Sequence, residues 1–489
     1  MRVELRNTVE SGLPPDDQHP YRSGPWRPQQ REYDAWDMDV VGRIPDDLSG
    51  VYLRNTENAL FEPIKRYHPF DGDAMLHSIS FSNGEARYAN RFVRTDGFLA
   101  EQEARRSLWA GITEHPSNAI ADHGWGVRTM MKDNASTDVV VHGGKALASF
   151  YQCGELYAVD PVTLEDRGKT TWNGRFPAEG VSAHPKLDEH TGELLFFNYS
   201  QQAPYMHYGV VSRDGELTDY VDVPLPGPRL PHDMAFTENW TILNDLPLFW
   251  DPAALADGFY SNRFHRDMPS RFALIPRHGT TEDIRWFEAD PTFVLHWTNA
   301  YEDGDEVVLD GFFQHNPTGR GAKQVLPAEW KGFETLDLNV LDARAHRWRF
   351  NLVTGETTEE EMSDRNAEFP MINGRHAGRR HRYSYNALGA EGLFVFDGLV
   401  KHDLDTGNEE EVRFGDGVVV SETVMAPRDG STAEDDGYLI TFSSDVVNDR
   451  SECIILDAGR PGDEPVARIR LPERICSGTH ATWAPLGDL

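Results

Sequence analysis

Cysteine is scarce: the 489 residues hold three, Cys153, Cys453 and Cys476, with no CxxC spacing. That leaves no disulfide framework and no cysteine-based zinc site, and it fits a reducing compartment. Basic residues are outnumbered, 47 Lys and Arg against 80 Asp and Glu, for a net charge of −33. A phosphate backbone is held by clustered Lys and Arg, so nucleic acid is excluded as a partner. Such an acidic surface serves solubility and disfavours docking on anionic lipid. No apolar run approaches the roughly 20 residues of a membrane helix. The opening stretch, MRVELRNTVESGLPPDDQHP, lacks the basic start and apolar core of a secretory signal, so a cytoplasmic protein is expected. Helical periodicity is sparse, confined to AEQEARRSLWAGI (Ala100–Ile112) and DPAALADGFY.

What the chain has instead is short apolar strands separated by turn residues. LYAVDPVTLEDRG, WRFNLVTGETTEE, LVKHDLDTGNEEEVRF and CIILDAGRPGDEPVARIRL each read as strand, turn, strand. Further apolar strands lie between them, among them GELLFFNYS, WTILNDLPLFW and GYLITFSS. Many evenly spaced strands without alternating helices predict an all-β, radially repeated fold such as a propeller. No Gly/Ser linker divides the chain, which predicts one domain over residues 1–489, with 1–41 as an extended lead-in.

Nineteen histidines are present, and most sit in polar or basic loops. Four share another context, beside a strand and among small or polar residues: His184 in GVSAHPKL, His232 in RLPHDMAF, His296 in FVLHWTNA and His480 in GTHATWAP. Local metal motifs space their ligands a few residues apart on one element. Separations as wide as these suit one ligand from each of several blades, all facing a common axis. Four neutral imidazoles accept Fe, Cu, Zn or Ni, so ligand type alone does not choose the metal.

The surrounding motifs add an identity. GVYLRNTEN, YHPFDGDAMLH and ARYANRFVRT are followed in order by AEGVSAHPKLDEHTGELLFFNYS, PHDMAFTENW, EFPMIN, EDDGYLITF and GTHATW. From about Gly42 to the C-terminus, this series resembles the carotenoid cleavage oxygenases, the family that includes lignostilbene dioxygenases. The resemblance implies a seven-bladed propeller with loops and a short helix capping an axial metal site. It implies one non-haem Fe(II) per chain on His184, His232, His296 and His480, with no organic cofactor. Glu368 and Glu422 fall where the family orients its histidines, and a carboxylate on the far ring nitrogen fixes tautomer and basicity. Thr137 matches a threonine whose methyl crowds the metal. Where a third glutamate is usual the chain reads SFYQCG, placing Tyr151 or Gln152 there. RNTEN stands for RNGPN and FDGDAM for FDGDGM, so Ala74 requires a negative φ.

The implied reaction adds O2 across one C=C bond of an apolar alkene and yields two carbonyl products. Stilbene-cleaving members bind a phenol through a Lys and a Tyr; the apparent matches here are Phe150 and Phe98, which favours a carotenoid-like polyene over a stilbene or phenylpropenoid. Trp297 and Phe313, with those two phenylalanines, are candidate pocket residues. Leu248, Phe249 and Trp250 in DLPLFWDPAALADGFY are read as a buried strand, or as a tunnel mouth touching a membrane or lipid droplet. No protein partner is implied. A non-enzymatic binding scaffold, and isomerisation or ester cleavage on the same metal, are the competing readings.

Overall fold

A strand that packs on both faces shows alternate side chains to two different neighbours, and this explains the architecture. The computed structural model describes residues 1–121, 131–251, 253–254, 262–321, 327, 329–330, 333 and 336–489. The first sheet has the order Arg2–Thr8, Arg31–Trp36, Glu85–Phe92, Asp73–Ser82, Gly50–Asn58, Ala481–Pro485. The second runs outward from Asp138–His142 to Asp166–Lys169, the third from Lys186–Asp188 to Leu217–Pro224. The fourth runs from Ala235–Phe236 to Arg285–Ala289, and the fifth from Trp297–Asp303 to Thr357–Asn366. A ten-stranded sheet begins at Glu368–Met371 and ends by pairing Ala467–Arg470 with Val40–Gly42. Each of the four predicted outer hairpins is present as an antiparallel pair.

The cores lie between sheets. Val51 and Leu53 pack with Val139 and Val141 of the second sheet, while Tyr52 between them packs with Phe442 and Ile455 of the last. Val140 turns the other way, onto Leu194 and Phe196 of the third sheet. Leu195 and Phe197 then meet Leu243 and Ile275 of the fourth, and Ile242 and Phe272 meet Leu309 and Trp348 of the fifth. Phe312 and Ala345 pass the contact to Leu388 and Val400 of the ten-stranded sheet. The sequence of interfaces returns to its start, so the sheets form a closed ring, a β-propeller.

Closure depends on the chain's end. Ala481–Pro485 pairs antiparallel with Gly50–Asn58, in the register Ala481↔Arg54 to Pro485↔Gly50. The Asn55 N–H donates to the His480 carbonyl at 2.9 Å. The expected lead-in also takes part, because Arg2–Thr8 and Arg31–Trp36 extend the first sheet. Ala74 lies in a strand with negative φ, so the position that suits glycine in the signature accepts alanine here. The expected helix at Ala100–Ile112 forms earlier, over Asp96–Ala104, because the Thr95 side chain accepts the Phe98 N–H and caps it. Of DPAALADGFY, residues 252 and 255–260 lie outside the described residues.

Two expected outcomes test this closure. Deleting residues 478–489 removes the strand that pairs with Gly50–Asn58 and should lower the thermal midpoint by many degrees, whereas deleting residues 487–489 should change it little. Lys132 ties that same region together from within, its buried ammonium 2.7 Å from both Asp73 and Glu101. Lys132→Met strands two buried carboxylates and should cost about 3–5 kcal/mol, read by chemical denaturation.

Candidate metal centre and cavity

The four singled-out histidines come together. Candidate ligand atoms of His184, His232 and His296 all lie within 4.8 Å of one another. His480 stands against them, its ring centroid 4.4 Å from that of His184 and 4.8 Å from that of His296. Each sits at the inner edge of its sheet, just before Lys186–Asp188, Ala235–Phe236, Trp297–Asp303 and Ala481–Pro485. Two of them leave a buried Nε2 without a hydrogen-bond partner, His184 and His296. Buried polar atoms are seldom left unpaired, and converging imidazole nitrogens of this kind fit a metal ion.

Acidic side chains set the directions. His296 Nδ1 donates to Glu368 Oε2 at 2.6 Å, which leaves Nε2 facing inward. His480 Nδ1 lies 3.3 Å from Glu422 Oε1, while Glu422 Oε2 accepts the Ala481 N–H at 2.6 Å. Two aspartates that sequence reasoning missed do similar work on the backbone. Asp138 Oδ2 accepts the His184 N–H at 3.2 Å. Asp233 Oδ2 accepts the Trp297 N–H at 2.9 Å, and its Oδ1 meets Lys186 Nζ at 2.7 Å. Asp233 thus links the segments that carry His184, His232 and His296. The signal available for both was an acidic residue at the mouth of an apolar strand, in STDVVV and PHDMAF.

Phe369 was also missed. Its ring stacks on His480 and lies 4.4 Å from His296, centroid to centroid. Phe369 and His184 both hold positive φ, 53° and 65°, a conformation that side chains rarely adopt and that concentrates at functional sites. The His232 ring has no hydrogen bond among the described residues; Tyr151 is close, at 6.5 Å between ring centroids.

Burial drives His184, His232 and His296 well below the ordinary imidazole value, and the neighbouring imidazoles add to it. His480 is also penalised by burial, but Glu422, Asp138 and Asp233 outweigh that and hold it above the ordinary value. Burial pushes Glu368 up to about 8 and Asp138 up to about 6. Three imidazoles disfavoured as cations by burial, with acidic side chains behind them, are an environment for a metal cation.

Two cavities meet at the histidines. One of about 250 Å3 follows the propeller axis and is lined by the innermost strands together with Asp138, Lys186, Asp233 and Glu422. The other, about 330 Å3, lies on the side of His232, with Phe70, Leu248, Trp250, Leu295, Phe369 and Phe394 in its wall. Thr137 and Tyr151 line this second cavity, and the Thr137 hydroxyl accepts the Tyr151 N–H at 3.1 Å.

Of the four aromatic pocket candidates, Trp297 contributes to the wall of the axial cavity, and Phe98, Phe150 and Phe313 line neither cavity. Phe98 stacks on Phe92 in a core with Val9 and Leu60. Phe150 is 1% exposed and packs behind Tyr151. Trp297 follows His296 and, by strand alternation, turns into the core with Phe272 and Trp348. Phe313 packs against the same core beside His346. Phe249 is buried against His265 and Arg229, as a core strand requires, and its neighbours Leu248 and Trp250 face the cavity. No helix among the described residues is long and apolar enough to cross a membrane.

Known proteins share this arrangement of chain and fold. The family described as retinal pigment epithelial membrane protein matches residues 26–485. A carotenoid 9,10(9′,10′)-cleavage dioxygenase 1 of Pisum sativum is 32% identical over 522 residues, covering 98% of this chain and 92% of the relative. An isoeugenol monooxygenase of Pseudomonas nitroreducens is 30% identical over 484 residues, covering 95% and 98%. Among solved structures, the lignostilbene dioxygenase of Pseudomonas brassicacearum aligns with a TM-score of 0.84 at 28% identity, over 97% of this chain and 100% of that one. With its ring of sheets, its converging histidines and these relatives, the chain belongs to the retinal pigment epithelial membrane protein family, the carotenoid cleavage oxygenases.

Proposed function

We propose that this alkene-cleaving dioxygenase holds one iron(II) per chain on His184, His232, His296 and His480 and cleaves a C=C bond of a carotenoid- or apocarotenoid-like polyene. The observation that carries the reading is the pair of buried, unpartnered Nε2 atoms on His184 and His296 within a cluster of imidazoles. Iron(II) bound there would supply the reactivity toward O2 that no side chain has. The protein's own residues do the rest. Glu368 and Glu422 hold Nδ1 of His296 and His480, keeping Nε2 of each toward the axis. Phe369, Leu295 and Trp250 exclude water from the reacting alkene and position it beside the histidines. Thr137 turns its hydroxyl to the Tyr151 backbone, which leaves its methyl to narrow the cavity. The innermost segments that line the axial cavity, at 138–141, 184–187, 233–236, 296–300, 371–372, 424–425 and 480–485, support a seven-bladed count.

A stilbene or phenylpropenoid alkene is the second reading. Phe98 and Phe150, which spoke against it, do not line the cavity, and Tyr151 and Gln152 give its wall polar groups.

Incubation under 18O2 with a panel of β-carotene, apocarotenals, resveratrol and isoeugenol should give cleavage with label in both carbonyl products. Unlabelled products would remove dioxygenation, and aldehydes from the phenols alone would reverse the order of the two readings. Glu368→Ala should weaken metal retention about 10–100-fold in chelator competition; unchanged retention would deny Glu368 its orienting part. His296→Ala should lower bound iron well below one per chain, and full iron content would exclude His296 as a ligand.

A further inference from the structure

The two cavities that meet at the histidines differ in charge. Beside His232 the wall has one acidic side chain, Glu57, no Lys or Arg, and a largely apolar remainder that includes Leu230, Leu295, Leu336 and Phe394. The axial cavity is lined by five carboxyl groups, Asp138, Glu189, Asp233, Glu422 and Asp488, against one ammonium, Lys186. That ammonium is already matched, with Nζ 2.7 Å from Asp233 Oδ1.

These acids fall into two groups. Asp138, Asp233 and Glu422 are buried, beside His184, His296 and His480 in the same wall, and each accepts a backbone N–H. Glu189 and Asp488 are exposed and mark where the cavity reaches the surface. Neither of their side chains makes a hydrogen bond or ion pair with another described residue. Glu189 lies close over Gly374, where a Cβ would come within 2.0 Å of its Oε1, so the glycine makes room for the carboxylate. Asp488, Arg375 and His190 are its charged neighbours. A volume of about 250 Å3 has room for an ion with several of its waters.

We propose that the axial cavity is the route by which the divalent metal ion reaches and leaves the histidines, with Glu189 and Asp488 as its outer capture point. This rests on the histidines being the metal site. A divalent cation surrenders its water only where other ligands replace it, and an apolar passage offers none. A narrow cleft lined by charge of one sign focuses the field and speeds entry of the opposite ion. The axial wall provides this from the exposed pair inward to Asp138, Asp233 and Glu422. Separate routes leave the cavity beside His232 free of the charges that capturing a cation requires.

Rates of metal uptake and release test the inference. Metal-free protein is mixed with Fe2+ in the absence of O2, and the iron still free is read with ferrozine; affinity at equilibrium is read by chelator competition. A ligand sets affinity, whereas a residue on the route sets both rates together. Glu189→Lys combined with Asp488→Lys should slow uptake and release alike, each about 10-fold or more, with affinity kept within about threefold. Asp214→Lys with Asp416→Lys makes the same change of net charge at exposed positions elsewhere and should leave both rates within about twofold. Ile372→Trp, which narrows the axial cavity without adding charge, should also slow both. If the metal-free protein loses its fold, release from the iron-loaded protein into excess ferrozine should rank the variants in the same order. Unchanged rates in the axial variants, or equal slowing in the remote pair, would overturn the inference while leaving the metal centre standing. A changed KM for O2 with unchanged metal rates would overturn it too, and give the axis to O2. Wild-type protein that takes up no iron would sink both the route and the metal centre.

Discussion

Four buried carboxylates do for this site what no single strand could. Asp138, Asp233, Glu368 and Glu422 are each buried, and each spends an oxygen on a backbone N–H: those of His184, Trp297, Phe369 and Ala481. All four N–H groups belong to a histidine of the cluster or to a residue packed against or following one. Glu368 and Glu422 use the same carboxyl group to face an imidazole as well. The four accepting oxygens lie 2.6 to 3.2 Å from these N–H groups, so the backbone around the histidines is fixed, and His296 and His480 are faced at the ring as well. Burying four acids together is costly unless cations or donors compensate. Lys186 supplies one charge, the backbone supplies donors, and the inward nitrogens are arranged for another cation.

The ring of sheets makes that convergence affordable in chain terms. Every inner strand must present alternate residues to two neighbouring sheets, as Val139–Val140–Val141 does, and so its end points at the axis. Histidines placed one to three residues before such strands meet even when they lie far apart in the chain. The C-terminal strand completes the first sheet, which is why the ligand candidate His480 sits directly before it.

Much of this was legible in the residues. The four outer hairpins follow from alternation and turn chemistry, and the four histidines stood out because their surroundings were not those of a charged loop. Glu368 and Glu422 were found through the resemblance. Asp138 and Asp233 escaped because a carboxylate bound to a backbone amide leaves no spacing pattern; its partner is set by the packing of the ring. The placement of the aromatic pocket candidates depends on packing in a related way. Trp297 is next to His296, but strand alternation sends neighbours to opposite sides, so it lines the axial cavity and not the one beside His232, which Leu248 and Trp250 reach.

Diffraction from crystals of the iron-loaded protein, recorded on both sides of the iron absorption edge, addresses the central claim directly. The account predicts one anomalous peak per chain on the propeller axis, within coordination distance of an imidazole nitrogen from each of His184, His232, His296 and His480. A peak bound elsewhere, or an axial peak that leaves any of these four rings uncoordinated, would contradict it.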